Sequence, residues 1–546
     1  MDKTMPYPMQ AAPGAPADYP PLIQQANEKF AAKEYAQAAD LWERALAINP
    51  HTTAWAELGQ ARYAAGEYAR AIAAYEKALE VGAGYRWNSA YNIACCYALQ
   101  GNKKAALNWL DKALTMGFRD LEQVQKDEDL KSLHAEKRFQ ELALVADVSA
   151  MSRDEGWRFD LKVLARELQR LHYAPFAHTP RQRFEAFVKE LHNAIPQLSE
   201  DEIAVGFMRL ARMMGDAHTN IGPRALREGQ HRLPVQFYLF EEGLFIIAAD
   251  AAYADLAGAQ VLRVGGHSAP QVLEALDTVI SQDNRMWPRF IGPILLRCPA
   301  VLHGLKLIPT ADQMELTVRD ASGVERTVTL PANTGDAPPD WTTARKDASL
   351  PTPLTLKNRL AAYWFEYLPA EKMVFCQYNA VKSDPAEPLE TFCARLFAFI
   401  NANDVDRLAL DMRWNGGGNN FLNLPLIEGL QRCDKINQPG KLFVIIGRNT
   451  FSAAQCGATQ IERYTKAIFV GEPTGSCPNF VGESIPVHLP YSKMQGTISD
   501  LYWQNSVAMD YRAWIAPELY APPTFAAFRA NRDPALEAIL AYHPTP

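Results

Sequence analysis

No stretch of the 546-residue chain reaches the roughly 18 apolar residues that a bilayer-spanning helix needs, so no membrane span is expected. Cysteine is scarce, with eight residues in all, too few for a disulfide framework in so long a chain. Cys95 and Cys96 adjoin, and Cys376, Cys393 and Cys456 stand within apolar segments, which predicts buried, reduced thiols. Neither C-x-x-C nor H-E-x-x-H occurs, so neither a metal nor another cofactor is expected. No run of Lys or Arg is long enough to track a phosphate backbone, and a formal net charge of −7 argues against nucleic acid as the main partner. The opening residues MDKTMPYPMQAAPGAPADYPP lack the apolar core of a secretory signal. As it stands the chain reads as cytoplasmic; if a signal was trimmed, it is periplasmic or secreted.

What is present has the balance of a folded protein, with 48% hydrophobic and 21% charged residues, and its length predicts two to four domains. Residues 1–20, rich in Ala and Pro, read as a flexible leader. From 21 to 145 the sequence repeats: ERALAINP, EKALEVGA and DKALTMGF place Ala45, Ala78 and Ala113 at intervals of 33 and 35 residues. A bulky residue precedes each (Trp42, Tyr75, Leu110), and small Ala38, Ala71 and Ala106 stand where paired helices must approach closely. Trp55, Leu58 and Gly59 fill the first-helix positions of the middle unit. This pattern resembles the tetratricopeptide repeat, with its period of roughly 34 residues. Such units bury their faces by stacking on neighbours, which makes the array a scaffold or a docking surface for a protein partner.

Helical spacing returns over 150–232, in FEAFVKELHNAIPQL and DEIAVGFMRLARMM. Over 233–332, VQFYLF, LFIIAA, QVLRV, MELTVRD and ERTVTLP alternate like strands, with QVLEALDTVI as an intervening helix. Strand, LAGAQVLRVGG turn and helix in that order resemble a PDZ-like module able to take a peptide by strand addition, although no carboxylate-binding glycine loop is evident. A Pro- and Thr-rich linker covers 333–355. From 356 to 546 strands and helices alternate, which predicts a parallel sheet covered by helices, with chemistry beyond the carboxyl ends of its strands.

Three features cluster at such ends. In IIGRNTFSAAQ an apolar strand leads through a turn to Ser452 at a helix start. A hydroxyl there sits at the positive end of a helix, beside the N–H of Ala453; an ordinary N-cap is the competing reading. In LALDMRWNGGGNN a buried strand ends at Asp411 and Arg413, and Gly416 to Gly418 follow. Glycines there let backbone N–H groups approach a ligand, although a plain turn has the same composition, and no Walker-type lysine follows to support a phosphate cradle. In MMGDAHTNIGP, His218 lies in a tight turn between a helix and the β-rich region.

Taken in order, GDAHT, D-[LM]-R-x-N-x-G-G, T-x-S-A-A and FVGEPTG resemble the S41 family of serine peptidases from about residue 150 to the end. The resemblance implies a crotonase/ClpP-like α/β core, a PDZ-like domain and Ser452 as nucleophile. Processing proteases of that family use a lysine in T-F-G-K, and T-G-S-C here puts Cys477 in its place; Lys466 lies at the far end of the serine's helix and reads as solvated. The tricorn-like and retinoid-binding-protein-like branch implies His218 as base instead. That branch has a serine before the histidine, where this chain has Ala217. Asp510, at a spacing after Ser452 like that of the tricorn-like acid, is the candidate orienter of His218, with Asp216 as the other. The N–H groups of Gly417 and Ala453 are the candidate oxyanion hole, with Gly418 adjacent. The expectation is a serine peptidase acting on peptide or protein through an acyl-enzyme on Ser452; an esterase on the same machinery and a non-catalytic scaffold are the alternatives.

Overall fold

The computed structural model describes residues 15–82, 84–222, 232–332, 340–345 and 350–543. The chain divides into two compact units, Met1–Met151 and Ser152–Pro546. Among the described residues no helix is long and apolar enough to cross a membrane. All eight cysteines are free, and only Cys477 is not fully buried.

The first unit is a helical array: α1 (Tyr19–Ala31), α2 (Tyr35–Ile48), α3 (Ala54–Ala64), α4 (Tyr68–Val81), α5 (Arg86–Leu99) and α6 (Lys103–Thr115). Residues 1–14 of the expected leader lie outside the described residues, and α1 already begins at Tyr19. Pro20 falls in its first turn, where a missing N–H breaks no helical bond. The helices pack as successive pairs, and the sequence explains the spacing. Ala38, Ala71 and Ala106 are each fully buried. A Cβ on Gly59 of α3 would lie 2.6 Å from the Tyr75 ring of α4, so glycine sets that approach. Arg62, 2% exposed, is neutralised by Asp40, Glu43 and Glu67, the form in which a buried charge is tolerated.

The second unit opens with helices α7 (Arg153–Leu171) and α8 (Glu200–Arg212), each started by a capping box, Ser152 with Glu155 and Ser199 with Glu202. A small antiparallel sheet follows, with β1 (Val235–Phe240), β2 (Gly243–Asp250), β3 (Gln260–Val264), β4 (Gln313–Arg319) and β5 (Glu325–Pro331) in spatial order β1-β2-β3-β4-β5. Helix α9 (Met286–Leu295) packs beside edge strand β1. The predicted linker is not wholly irregular, because Trp341–Thr343 pairs with β2.

The main sheet contains β6 (Tyr363–Leu368), β7 (Met373–Tyr378), β8 (Arg407–Asp411), β9 (Leu442–Ile446), β10 (Ile468–Gly471) and β11 (Leu519–Tyr520). Its order is β11-β10-β9-β8-β7-β6, parallel throughout except for β6, which runs antiparallel to β7. Every residue of β9 is buried, as expected of a central strand covered on both faces. One apolar cluster, including Leu396, Leu410 and Ala454, covers one face, and another, including Phe375, Phe443 and Ile539, covers the other. The molecule therefore joins a helical array to an α/β part, and the middle strands β8 and β9 carry the glycine and serine motifs at their carboxyl ends.

Candidate active site

The chain leaves β9 at Ile446 and turns over Gly447–Phe451 before helix α10 (Ala453–Tyr464). Ser452 stands between them with φ 54° and ψ −128°, a backbone region that costs a residue with a Cβ about 1–3 kcal/mol. Its side chain makes no cap hydrogen bond, so the N-cap reading does not account for a serine here.

Hydrogen bonds from the neighbouring loop hold this conformation. Thr450 Oγ1 donates to the Met412 carbonyl (3.0 Å) and accepts from Gly447 N–H (3.1 Å). Asn449 Nδ2 donates to the Trp414 carbonyl at 2.9 Å. The N–H of Phe451 donates to the Asn415 carbonyl at 3.1 Å. On the far side of the serine, Asn423 Nδ2 donates to the Ala453 carbonyl at 2.8 Å. The side chains of Asn423, Asn449 and Thr450 and the backbone of Asn415 do this holding, and Asn415 and Thr450 occupy fixed positions of the quoted motifs.

The glycine loop lies against the serine. Gly417 has φ 108°, and a Cβ on it would sit 2.6 Å from Ser452 Cβ and 2.9 Å from Ala453 N. Gly418, at φ 138°, would place a Cβ 2.1 Å from the Val381 carbonyl oxygen. Only glycine satisfies both approaches. The N–H of Gly417, however, donates to Asn415 Oδ1 at 3.0 Å. Among the described residues the N–H groups of Ala453 and Gly418 have no partner. The donor expected at Gly417 is thus already engaged, and the adjacent Gly418 is the open one.

His218 is 8% exposed. Its ring lies between those of Phe451 (centroids 4.4 Å apart) and Phe480 (5.4 Å), and Phe451 stacks in turn on Trp287 at 4.0 Å. Neither ring nitrogen has a hydrogen-bond partner, and no hydrogen bond joins His218 to Ser452. Burial pushes the imidazole down to about 4, against a smaller opposing pull from Asp216.

Asp216 holds the turn. Its Oδ1 accepts from Thr219 N–H and Ser499 Oγ, both at 2.7 Å. Its Oδ2 lies 2.9 Å from His172 Nε2. His172 Nδ1 accepts from Ala174 N–H at 3.1 Å, so Nε2 carries the proton toward the carboxylate. Burial raises the Asp216 pKa, but the hydrogen bonds from His172 and Ser499 outweigh it and hold the carboxyl below its usual range.

Asp510 is not brought to His218. Arg512, two residues on, folds back onto its carboxylate (Nε to Oδ1 3.0 Å, Nη2 to Oδ2 2.8 Å) and also grips Glu462 at 2.7 Å. Hydrogen bonding from Arg512 holds Asp510 well below the carboxylate range. Arg512 stands only two residues from Asp510, so this local pair is the ordinary alternative to a contact with His218. A different acid lies behind the histidine turn: Asp283 Oδ1 accepts from Ala217 N–H at 2.8 Å, and Oδ2 from Ser476 Oγ. The residue keeps some exposure, but enclosure of its carboxyl pushes the pKa up to about 7, against a smaller lowering by Ser476.

Arg413 is structural. It pairs with Asp411 (3.0 Å) and, through both terminal nitrogens, with Asp533 (2.8 and 2.9 Å). Lys466 is exposed. Cys477 donates its thiol to the Asp283 carbonyl at 3.7 Å, and burial pushes that thiol up to about 12. Among the described residues one cluster has metal-ligand spacing, Cys95 with Asp127 and Asp129 in the helical array. Tyr91 already donates to Asp127 at 2.6 Å and Tyr63 to Asp129, while burial raises the Cys95 thiol, so the donors present do not favour an ion.

The tetratricopeptide-repeat profile matches residues 23–86 and 59–117, and the first unit carries these repeats. A 61-residue segment is 36% identical to a chloroplastic protein of Arabidopsis thaliana, over 11% of this chain and 18% of that protein; the match thus spans under a fifth of the curated relative. Among solved structures, the chain is similar to mature CPAF complexed with lactacystin (13% identity, 71% of this chain and 97% of that one, TM-score 0.49). It is also similar to the photosystem II D1 C-terminal processing protease (12% identity, 70% and 96%, TM-score 0.35).

Proposed function

We propose that the second unit is a serine hydrolase of the S41 peptidase type, with a crotonase-like core and a PDZ-like small sheet, acting on peptide bonds through an acyl-enzyme on Ser452. The observation that carries this reading is the strained Ser452 backbone at a strand-to-helix turn, pressed against Gly417. Strain of this kind gathers at catalytic sites, where it exposes a nucleophile. The unpartnered N–H groups of Ala453 and Gly418 supply oxyanion donors of the kind whose loss typically costs on the order of 100-fold or more in rate. His218 serves as base. Its depressed pKa keeps it neutral at physiological pH, the form that accepts a hydroxyl proton. Its stacking on Phe451 holds it against the residue that precedes the nucleophile. Catalytic hydrogen bonds tighten as substrate binds, and Ser452 to His218 is the bond that must form. Asp283, through the Ala217 N–H, positions the turn in place of the Asp510 contact. The repeats supply a docking surface for a protein partner.

A fluorophosphonate probe should label Ser452 in the folded chain and leave Ser452→Ala unlabelled. Absence of labelling in protein with intact circular dichroism would overturn the reading. Parallel assays on peptide libraries and short-chain esters separate peptidase from esterase.

A further inference from the structure

A partly open space lies beside the turn that leads to Ser452. Edge strand β1, helix α9 and the exit of β9 surround a cavity of about 430 Å³, within the roughly 300–1,000 Å³ typical of small-molecule sites. Neither Ser452 nor His218 lines it. Its walls combine aromatic groups, among them Tyr238, Phe240 and Trp414, with five arginines, of which Arg413 and Arg532 are paired with Asp533 and Glu537 and the others are Arg289, Arg359 and Arg448.

The arginines differ in how they are satisfied. Arg448 is spent: it pairs with Glu472 and donates to the Leu239 carbonyl at 2.7 Å. That last bond also occupies an outward carbonyl of β1, so strand addition by a peptide is blocked there. Arg289 reaches Glu241 with one terminal nitrogen at 2.9 Å, but its buried Nε has no partner. Arg359 forms no ion pair among the described residues; its guanidinium lies 3.7 Å from the centre of the Trp414 ring, and the residue is exposed. A guanidinium stacked on an aromatic face keeps its in-plane N–H fork free for a carboxylate.

We propose that this cavity binds a monocarboxylic acid with a compact aromatic body, its carboxylate on Arg359 and its ring against the Tyr238, Phe240 and Trp414 wall. One unpaired guanidinium balances one negative charge. Apart from Arg359 and the Nε of Arg289 the wall is mostly apolar, which suits an organic body better than the several charged oxygens of a phosphate.

Equilibrium dialysis of the full chain tests this with phenylbutyrate as probe and phenylbutanol as its uncharged counterpart. The acid should bind saturably at one site, and the alcohol about tenfold or more weaker, the discrimination a charge-assisted hydrogen bond supplies. Arg359→Gln should weaken the acid to a similar degree, and Arg359→Lys should recover part of the loss. Ser452→Ala should leave binding unchanged, which keeps this result independent of the hydrolase reading. No saturable binding, equal binding of acid and alcohol, or an Arg359→Gln affinity equal to that of the parent chain would overturn the proposal.

Discussion

The turn that presents Ser452 and the turn that presents His218 meet through the Phe451 ring, yet they are held in contrasting ways. Around Ser452, Thr450, Asn449 and the Phe451 N–H spend their hydrogen bonds on carbonyls of the glycine loop, which fixes a backbone conformation that is unfavourable in isolation. Around His218 the ring is gripped by flat apolar faces and its nitrogens are left unpaired. Directional bonds fix an orientation; stacking fixes a plane and lets the ring rotate within it. On the proposed reading Ser452 is therefore preset, and the His218 ring can turn to meet it. Keeping an imidazole dry and unpaired also keeps it neutral.

The sharpest way to break this contrast is His218→Gln. Turnover should fall by roughly 100- to 10,000-fold, the usual worth of a general base, and unchanged rates of hydrolysis would remove His218 from the mechanism. Gly417→Ala comes next. Its Cβ would collide with Ser452 and the Ala453 N–H, so hydrolysis should drop by about 100-fold or more, and the clash at a positive φ should also lower the unfolding temperature. Thr450→Val removes a hydroxyl that serves both Met412 and Gly447, and the two orphaned backbone groups should cost about 1–3 kcal/mol each at most. Calorimetry should show that loss together with slower probe labelling of Ser452.

The pH dependence is the subtlest test. Because His218 is held near 4 rather than 6.5, activity should persist below pH 6 and fail only toward pH 4. Phe480→Ala, by admitting water, should move that limb upward. Stability follows the same groups. Between pH 6.5 and 4 the unfolded chain protonates His218 before the folded one does, so this group makes stability fall with falling pH. Asp283, raised from 3.8 to about 7, holds its proton longer when folded and makes stability fall as pH rises through that range. The slopes oppose each other between pH 4 and 6.5, and Asp283→Asn should remove the opposing contribution of that carboxyl. Chemical denaturation across that range would show stability rising with pH in the variant; a curve no steeper than that of the parent would refute the assignment.

Much of this was legible in the sequence because it is local. The apolar run of β9, the glycines after β8 and the serine before α10 are contiguous patterns, and the repeat alanines report their own burial through spacing. What was not legible depends mostly on contacts between distant segments, and in two places on which of several local partners wins. Asp216 is tied to His172 and Ser499, and Asp283 reaches Ala217 and Ser476, none of them neighbours in the chain. Asp510 fits a spacing rule but is claimed by Arg512 beside it. Gly417 is not the open donor because an asparagine two residues earlier takes its N–H.

The Arg448 contacts bear on how the protein can be dissected. Four residues before Ser452, this side chain donates to the carbonyls of Leu239 and Arg289 and to Glu472. Residues 233–332 look like a removable insertion in linear order. Cutting them out would leave Arg448 without its two carbonyl acceptors and strip the cover from the exit of β9. A shortened enzyme built from the main sheet alone should therefore express poorly or react sluggishly at Ser452. The second unit with its small sheet retained keeps all of the Arg448 contacts.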